Sequence, residues 1–361
     1  MYELMNRDKV VATFEERLEY GEYTYSMVEQ HDDYLPYDFT TINEWVDDRQ
    51  IAKHRTSIKK LMTELGIDNR HGFISMVHCV SLTDTFWMRN ADSGLAWKDV
   101  SLYTNSFDDV VARIAFDGVG MYGRQFSSTS PEFGTSGSFD KCWVREEDGP
   151  HLIKRGSSGY ANAGFEPYSE KLCSDILLAA GVDHVPYTLR TYHHKLASDC
   201  PLFTSEQVGF VPAIRLFKRG FGINDVLTFA VSHGGDELFR EMVVMDAVCA
   251  NVDRHAGNYG FLVSNETGEV LRMAPLFDQN MALLPYLMEH DDLTDYLAHQ
   301  GPKIGGNFIA VAKALLTSSI RAKLIALKDF EYEDPGFGFP QWKLDVANKL
   351  KRDQIDAILA D

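Results

Sequence analysis

The segment that decides the fold is a polar loop with the sequence Asn251-Val252-Asp253-Arg254-His255-Ala256-Gly257-Asn258. Before this loop, the apolar residues of Asp236–Val252 recur at the spacing of a helix. After it, Tyr259–Ser264 and Val270–Phe277 are predicted to form the two strands of a hairpin. Asp278 follows the second strand directly, so the hairpin is expected to return a second carboxylate to the loop.

Asp253 and Asn258 are separated by the same interval as the catalytic aspartate and the metal-binding asparagine of protein-kinase catalytic loops. Phosphoryl transfer requires a carboxylate that orients the acceptor hydroxyl, and oxygen ligands that hold Mg²⁺ against the phosphates. A plainer alternative for the interval is that Asp253 caps a turn and Asp278 ends a strand. The preceding helix and the hairpin, taken together with Asp278, favour phosphoryl transfer.

The upstream residues have the layout of a kinase ATP-binding lobe. Strands are predicted at Phe126–Phe133, at Phe139–Arg145 and from His151 to Lys154, and the Gly/Ser-rich loop between the first two could cradle phosphates with its backbone N–H groups. Glu170 lies near the start of the next predicted helix, Pro167–Ala180, where it could pair with a strand lysine. Five candidate residues occur in the order in which a kinase needs them: Lys154, Glu170, Asp253, Asn258 and Asp278.

These motifs resemble those of the HipA-like kinases, an atypical serine/threonine kinase family that is distantly similar to phosphatidylinositol 3/4-kinases. The resemblance covers about residues 126–361. Besides the loop and the following Tyr259-Gly260-Phe261-Leu262, it rests on Ala274-Pro275-Leu276-Phe277-Asp278, Gly137-Ser138-Phe139-Asp140-Lys141, His151-Leu152-Ile153-Lys154 and Tyr168-Ser169-Glu170.

The resemblance implies an α/β (α+β), bilobed protein-kinase-like fold, with a mixed small ATP lobe and a mainly helical C-terminal lobe. The corresponding domains are an N-terminal accessory region at residues 1–125, an ATP-binding N-lobe at 126–217 and a catalytic helical C-lobe at 218–361. The implied reaction is the transfer of the ATP γ-phosphoryl group to a protein serine or threonine hydroxyl.

The resemblance also implies ATP and Mg²⁺ as cofactors, and roles for the matching residues of the catalytic loop. Asp253 corresponds to the catalytic aspartate, while Asn258 and Asp278 correspond to the Mg²⁺ ligands. His255 stands where the family has a catalytic-loop histidine, and its alternative role is to pack the loop.

Nucleotide-binding residues are implied in the same way. Lys154 corresponds to the lysine that contacts the ATP phosphates, with Glu170 as its partner, and Ser136, Gly137 and Ser138 form the phosphate loop. The segment ending in Leu216 and Phe217 resembles the hinge that binds adenine, although this chain has Arg215-Leu216-Phe217 where the family often has Glu-Arg-Phe. A serine of the phosphate loop can be autophosphorylated in the family, and the candidates here are Ser130, Thr135, Ser136 and Ser138.

Composition and charge limit the possible partners. The chain has 361 residues, 45% of them hydrophobic, and a formal net charge of −18, so direct nucleic-acid binding and anionic membrane surfaces are not expected. Five cysteines without C-x-x-C spacing indicate reduced thiols, and we expect a cytoplasmic protein with no membrane span. Family toxins pair with a DNA-binding antitoxin, so the resemblance implies an antitoxin-like partner in addition to an unidentified protein substrate.

Two other functions stay open at this stage. The catalytic loop is also similar to that of phosphoinositide kinases, which leaves a small-molecule or lipid kinase as an alternative. A non-catalytic ATP-binding regulator is the other alternative, although nucleotide binding alone does not require Asp253. Gly118-Val119-Gly120-Met121-Tyr122-Gly123 matches a dinucleotide-binding pattern, but the polar residues after it do not predict the helix that such a site needs.

Overall fold

The computed structural model describes residues 1–50, 56–118, 127–217 and 220–360. The chain divides into two compact units. Unit 1 comprises Met1–Lys154, Leu202–Val211 and Leu262–Val270, and unit 2 comprises Arg155–Pro201, Pro212–Phe261 and Leu271–Asp361. Each unit is therefore assembled from segments that are distant in sequence.

Unit 1 begins with an antiparallel sheet. Its strands are β1 (Tyr2–Asn6), β2 (Lys9–Glu19), β3 (Glu22–Gln30) and β4 (Phe86–Asn90), in the spatial order β3-β2-β1-β4. The sequence also predicts one strand segment over Tyr2–Phe14, which forms a hairpin in the structure because residues 7 and 8 turn the chain between β1 and β2. One hydrophobic cluster of this unit contains Met5, Val80, Leu82, Trp87, Trp97, Val100 and Leu102.

Five helices of unit 1 are described: α1 (Ile42–Arg49), α2 (Thr56–Leu65), α3 (Arg70–Val77), α4 (Trp97–Val100) and α5 (Asp109–Asp117). Their starts follow capping chemistry, since the Thr41 hydroxyl accepts the Glu44 N–H and the Asp108 carboxylate accepts the N–H groups of Val110 and Val111. The unit then forms a hairpin of β5 (Lys141–Glu146) and β6 (Gly149–Arg155).

Unit 2 is mainly helical. After α6 (Glu166–Ala179) comes a hairpin of β7 (Thr188–Tyr192) and β8 (Lys195–Pro201). The remaining helices are α7 (Ala213–Leu216), α8 (Ile223–Ser232), α9 (Asp236–Val248), α10 (Leu293–Ala298), α11 (Phe308–Leu315), α12 (Ser318–Ala326) and α13 (Gln341–Leu359). Helix α9 packs against α8, α11 and α13, and its residues from Glu241 to Val248 are all buried. A helix covered on all sides in this way is a fixed platform for the loop that follows it.

A third sheet includes the two strands that follow the loop at residues 251–258. Its strands are β9 (Val208–Pro212), β10 (Gly260–Ser264) and β11 (Val270–Met273), arranged in the spatial order β11-β10-β9. The hairpin predicted after Asn258 is therefore confirmed. Its second strand is shorter than predicted, because residues 274–277 leave the ladder before Asp278.

Two strand predictions are wrong. Residues 127–133 contain no strand, and Pro131–Phe133 form a 3-10 turn instead, consistent with the fixed φ of Pro131 at a helical first position. The sequence also predicts a strand over Val208–Phe217, but in the structure this strand ends at Pro212, where the chain enters α7. In the dinucleotide-like pattern, Gly118 ends α5, and residues 119–123 lie outside the described ranges. Among the described residues, no helix is both long and apolar enough to cross a membrane.

Candidate active site

The loop at residues 251–258 is fixed to helix α9 by side-chain hydrogen bonds. Asn251 is fully buried, and its amide nitrogen donates to Asp246 Oδ1 over 2.8 Å, while its backbone N–H donates to the Asp246 carbonyl. The Asn251 amide oxygen in turn accepts the backbone N–H of Asp253 at 3.1 Å. The buried Asp246 carboxylate thus fixes the position of the Asp253 backbone through Asn251.

Arg254 provides the second attachment to Asp246. Its side chain is fully buried, with Nε 2.8 Å from Asp246 Oδ2 and Nη2 3.0 Å from Asp246 Oδ1. Burial alone would lower the pKa of Arg254, but the Asp246 carboxylate outweighs it, and the pKa is raised. The guanidinium therefore stays charged in the interior, where its planar fork matches the carboxylate.

The same guanidinium joins the two segments that carry the predicted metal ligands. Arg254 Nη1 donates to the backbone carbonyl of Asn258 at 2.9 Å and to that of Phe277 at 2.6 Å. Phe277 immediately precedes Asp278. Asn258 and Asp278, although 20 positions apart in the sequence, are thus held through one side chain.

Asp278 has an unusual backbone conformation, with φ of 60° in the left-handed region. Its N–H donates to the hydroxyl oxygen of Tyr187 at 3.1 Å. Tyr187 is buried, and this burial, reinforced by neighbouring thiol and carboxylate groups, raises the pKa of its hydroxyl. Tyr187 is therefore a neutral, fixed acceptor that supports the backbone of Asp278.

Asp253 forms one side-chain contact that spacing could not reveal. The ammonium group of Lys303 donates to Asp253 Oδ1. The Asp253 side chain keeps 25% of its surface exposed, and Lys303 keeps 57%. No residue of the described ranges donates to Asp253 Oδ2, so this oxygen is available to an acceptor hydroxyl.

Asn258 fits the predicted role of a metal ligand. It is buried, and its side-chain amide nitrogen has no hydrogen-bond partner among the described residues. Rotating the amide by 180° would place its oxygen there, which is a suitable Mg²⁺ ligand. The part of the chain that the structure describes has no cluster of three His, Cys, Asp or Glu side chains.

His255 is exposed, and its ring closes the turn of the loop. Its Nδ1 accepts the backbone N–H of Gly257 at 3.1 Å, so a neutral ring carries its proton on Nε2. This contact supports the loop-packing alternative, and the predicted catalytic role of His255 stays a prediction.

The predicted phosphate loop lies in unit 1, just before strand β5. Ser136, Gly137 and Ser138 are exposed, and the Ser136 carbonyl accepts a hydrogen bond from the Lys141 ammonium at 2.8 Å. Gly137 has a φ of 91°, a conformation that favours glycine. Of the autophosphorylation candidates, Ser130 is buried and Thr135 bonds to the Pro131 carbonyl, whereas the two loop serines are accessible.

The two residues of the predicted lysine–glutamate pair belong to different units, Lys154 to unit 1 and Glu170 to unit 2. Lys154 is buried on β6, opposite Lys141 in the strand register, so both lysines lie on one face of the hairpin. Glu170 is buried in α6 of unit 2, where its carboxylate accepts the hydroxyl of Ser198. Their predicted pairing through ATP stays a prediction.

The predicted adenine-binding residues Leu216 and Phe217 lie at the end of a helical turn. The Phe217 N–H donates to the Ala213 carbonyl, so it is already used within that turn. The N–H groups of Ala213 and Ile214 donate to the carbonyls of Tyr259 and Ala256 at 2.9 Å each. This segment thus supports the catalytic loop, and its role in adenine binding stays a prediction.

Three supporting residues were missed by the sequence analysis: Asp246, Lys303 and Tyr187. Asp246 gave a signal, because it is an acidic residue among the apolar positions of α9 and a buried carboxylate needs a partner. The contacts of Lys303 and Tyr187 depend on chain segments distant in sequence. Arg254 belonged to the quoted loop, but its buried guanidinium could not be recognised without Asp246.

Two proteins of known structure or function resemble the chain. No protein-family model matches the sequence. The serine/threonine-protein kinase CtkA of Helicobacter pylori strain J99 is 32% identical over 133 residues, and the match covers 33% of this chain and 41% of CtkA. A solved structure of HipA with HipB and operator DNA, from Shewanella oneidensis MR-1, matches over 99% of this chain and 97% of the solved chain, with a TM-score of 0.54 and 10% identity.

The chain has the fold of the HipA-like kinases. The resemblance and the fold class predicted from the sequence are thereby confirmed. A crystal structure of the Helicobacter pylori proinflammatory kinase CtkA also aligns, with a TM-score of 0.44 and 18% identity, over 61% of this chain and 92% of the other. The sequence match spans less than half the length of the curated relative. The three predicted domains stay predictions.

Proposed function

We propose that this protein is a kinase that transfers the γ-phosphoryl group of Mg²⁺-ATP to a serine or threonine hydroxyl of a protein. The observation that carries the proposal is the anchoring of the catalytic loop. Arg254 holds the backbones of Asn258 and Phe277, while Asp253 keeps one carboxylate oxygen available beside them. A carboxylate base beside an amide and a second carboxylate is the ligand and base set that phosphoryl transfer requires.

In the proposed reaction, Asp253 orients the acceptor hydroxyl through Oδ2 and accepts its proton as the new O–P bond forms. Asn258 and Asp278 would hold Mg²⁺, which when bound neutralises charge on the phosphates. Lys154 would contact the α- and β-phosphates with Glu170 as its partner, and the N–H groups of the Ser136–Ser138 loop would receive phosphate oxygens. Leu216 and Phe217 would lie near the adenine, and His255 would take part in the catalytic loop.

A protein acceptor is favoured over a lipid. The sequence match is to a serine/threonine-protein kinase, and a net charge of −18 opposes binding to anionic membrane surfaces. Because the shared fold is that of HipA solved with HipB, an antitoxin-like partner is also proposed, with residues 1–125 as its docking region. Gel filtration of the full chain with a candidate DNA-binding partner tests this, and separate elution of the two proteins would count against it.

The test of the kinase assignment is incorporation of radiolabelled phosphate from ATP into protein, with and without Mg²⁺. The substitution Asp253→Asn keeps the shape of the side chain, and we expect it to reduce incorporation by about 10²–10⁴-fold because the general base is lost. Its partner Lys303 is largely exposed, so the protein is expected to remain folded.

The matched control is Asp33→Asn, which changes an exposed aspartate in unit 1. The control is expected to behave as the wild type. Equal labelling of the wild type and Asp253→Asn would refute the assignment. If calorimetry detects binding of Mg²⁺-ATP but no labelled phosphate is transferred, the result would instead favour a non-catalytic ATP-binding regulator.

A further inference from the structure

We propose that Lys303 is a further catalytic residue, whose ammonium group contacts the γ-phosphoryl group while it remains paired with Asp253. This inference rests on the proposed kinase function and adds a cation to the same site. It originates in a contact between residues that are 50 positions apart in the sequence.

The loop that carries Lys303 has a defined local structure. The loop joins α10 to α11, and it contains a turn in which the Gly305 N–H donates to the Pro302 carbonyl at 3.0 Å. At the end of the loop, the Asn307 side chain accepts the N–H groups of Ile309 and Ala310 and thereby starts α11. Lys303 lies within the turn at residues 302–305, and its side chain extends from there to Asp253.

Stability does not account for this ion pair. An exposed pair of this kind contributes about 0–1 kcal/mol, and ordering a lysine side chain costs a similar amount. Lys303 is more than half exposed, so the pair is only weakly shielded from water. We therefore infer that the ammonium group beside Asp253 serves function rather than stability.

A cation at this position would suit the chemistry of the site. Asp253 and Asp278 are both negative, and the incoming phosphoryl group adds negative charge between the acceptor and ADP. Arg254 cannot supply the opposing charge, because its Nε and Nη2 bind Asp246 and its Nη1 binds two carbonyls. Lys303 has three N–H donors, of which one is used by Asp253 Oδ1.

In the proposed step, the acceptor oxygen forms a bond to the γ-phosphorus while the bond to the β,γ-bridging oxygen breaks. ADP leaves with the electron pair of the broken bond, and the acceptor proton passes to Asp253 Oδ2. Lys303 remains protonated throughout and donates to an oxygen of the transferring phosphoryl group. Its contribution is electrostatic and is greatest where charge develops.

The experiment compares Lys303→Met and Lys303→Arg with the control Lys313→Met, an exposed lysine on α11. The turnover number for labelled phosphate transfer is measured together with the Kd values for Mg²⁺-ATP and Mg²⁺-ADP. We expect Lys303→Met to lower kcat by about 10²-fold. Only the affinity for ATP should fall, because ADP lacks the γ-phosphoryl group. Lys303→Arg should recover part of kcat, and the control should match the wild type.

The proposal is overturned if Lys303→Met is as active as the wild type, or more active, as an inhibitory pair would be. It is also overturned if ATP and ADP lose affinity equally. A wild type that binds ATP but transfers no phosphate refutes the kinase function alone, and the ATP-to-ADP comparison still decides whether Lys303 contacts the γ-phosphoryl group. A wild type that binds neither nucleotide overturns both proposals.

Discussion

Replacing Arg254 by methionine is expected to lower the free energy of unfolding by about 3–5 kcal/mol, because it leaves a buried carboxylate without its counter-ion. Both side chains of the pair are almost completely removed from solvent, with 0% of Arg254 and 8% of Asp246 exposed. Methionine has a similar length and is apolar, so lost packing is a minor part of the effect.

The magnitude follows from the contacts that the guanidinium makes. It forms two hydrogen bonds to the Asp246 carboxylate and two to backbone carbonyls. Bonds to charged groups contribute roughly 1.5–3 kcal/mol each, but the effects of neighbouring bonds do not add. Asn251 still donates to Asp246 in the variant, which limits the loss to the range given for a broken buried pair.

Urea unfolding, followed by at least two spectroscopic probes to check for a two-state transition, measures this loss. The control is Arg272→Met, since Arg272 pairs with Asp183 while about half of each side chain is exposed, and its expected cost is below about 1 kcal/mol. The double variant Asp246→Leu with Arg254→Met should lose less stability than Arg254→Met alone. If Arg254→Met costs no more than Arg272→Met, the reasoning about the buried pair is refuted.

Two further predictions concern the phosphate loop and a buried lysine. Gly137→Ala should lower the free energy of unfolding by about 1–3 kcal/mol, because alanine is strained at a φ of 91° and its Cβ would displace the Lys141 ammonium. Gly301→Ala is the unstrained control, and both variants are measured by urea unfolding. An equal loss of stability in the two variants would contradict the strain argument for Gly137. Burial lowers the pKa of Lys343 to about 8. Between pH 8 and about 10.4 the unfolded chain binds the extra proton, so wild-type stability relative to Lys343→Met should rise with pH. A difference that stays constant across this range would contradict the lowered pKa.

The sequence was most informative where local pattern and chemistry coincide. Helix α6 begins within one residue of its predicted start, because Pro167 suits a first turn and the apolar positions follow a helical period. The loop and the hairpin after it were found for the same reason. Here the short-range spacing predicts the loop at residues 251–258 and the two strands that follow it.

The failures occur where short-range patterns compete with backbone bonding. Val208–Phe217 is apolar enough for one strand, but the N–H groups of Ala213 and Ile214 donate to the carbonyls of Tyr259 and Ala256, and the chain turns into a helix after Pro212. The contact of Lys303 with Asp253 and the partnership of Asp246 with Arg254 depend on tertiary structure, which spacing in one sequence does not encode.

At Asp278 the backbone and the proposed chemistry have different requirements. The turn needs a residue that adopts a left-handed conformation, whereas the proposed chemistry needs a carboxylate. Asparagine and glycine adopt this conformation at least as readily as aspartate. Either residue could therefore preserve the turn, and the N–H bond to Tyr187, while removing the carboxylate. A single substitution would thus keep this backbone conformation and remove the carboxylate that we propose as a metal ligand. The left-handed backbone by itself places no demand for a charge here.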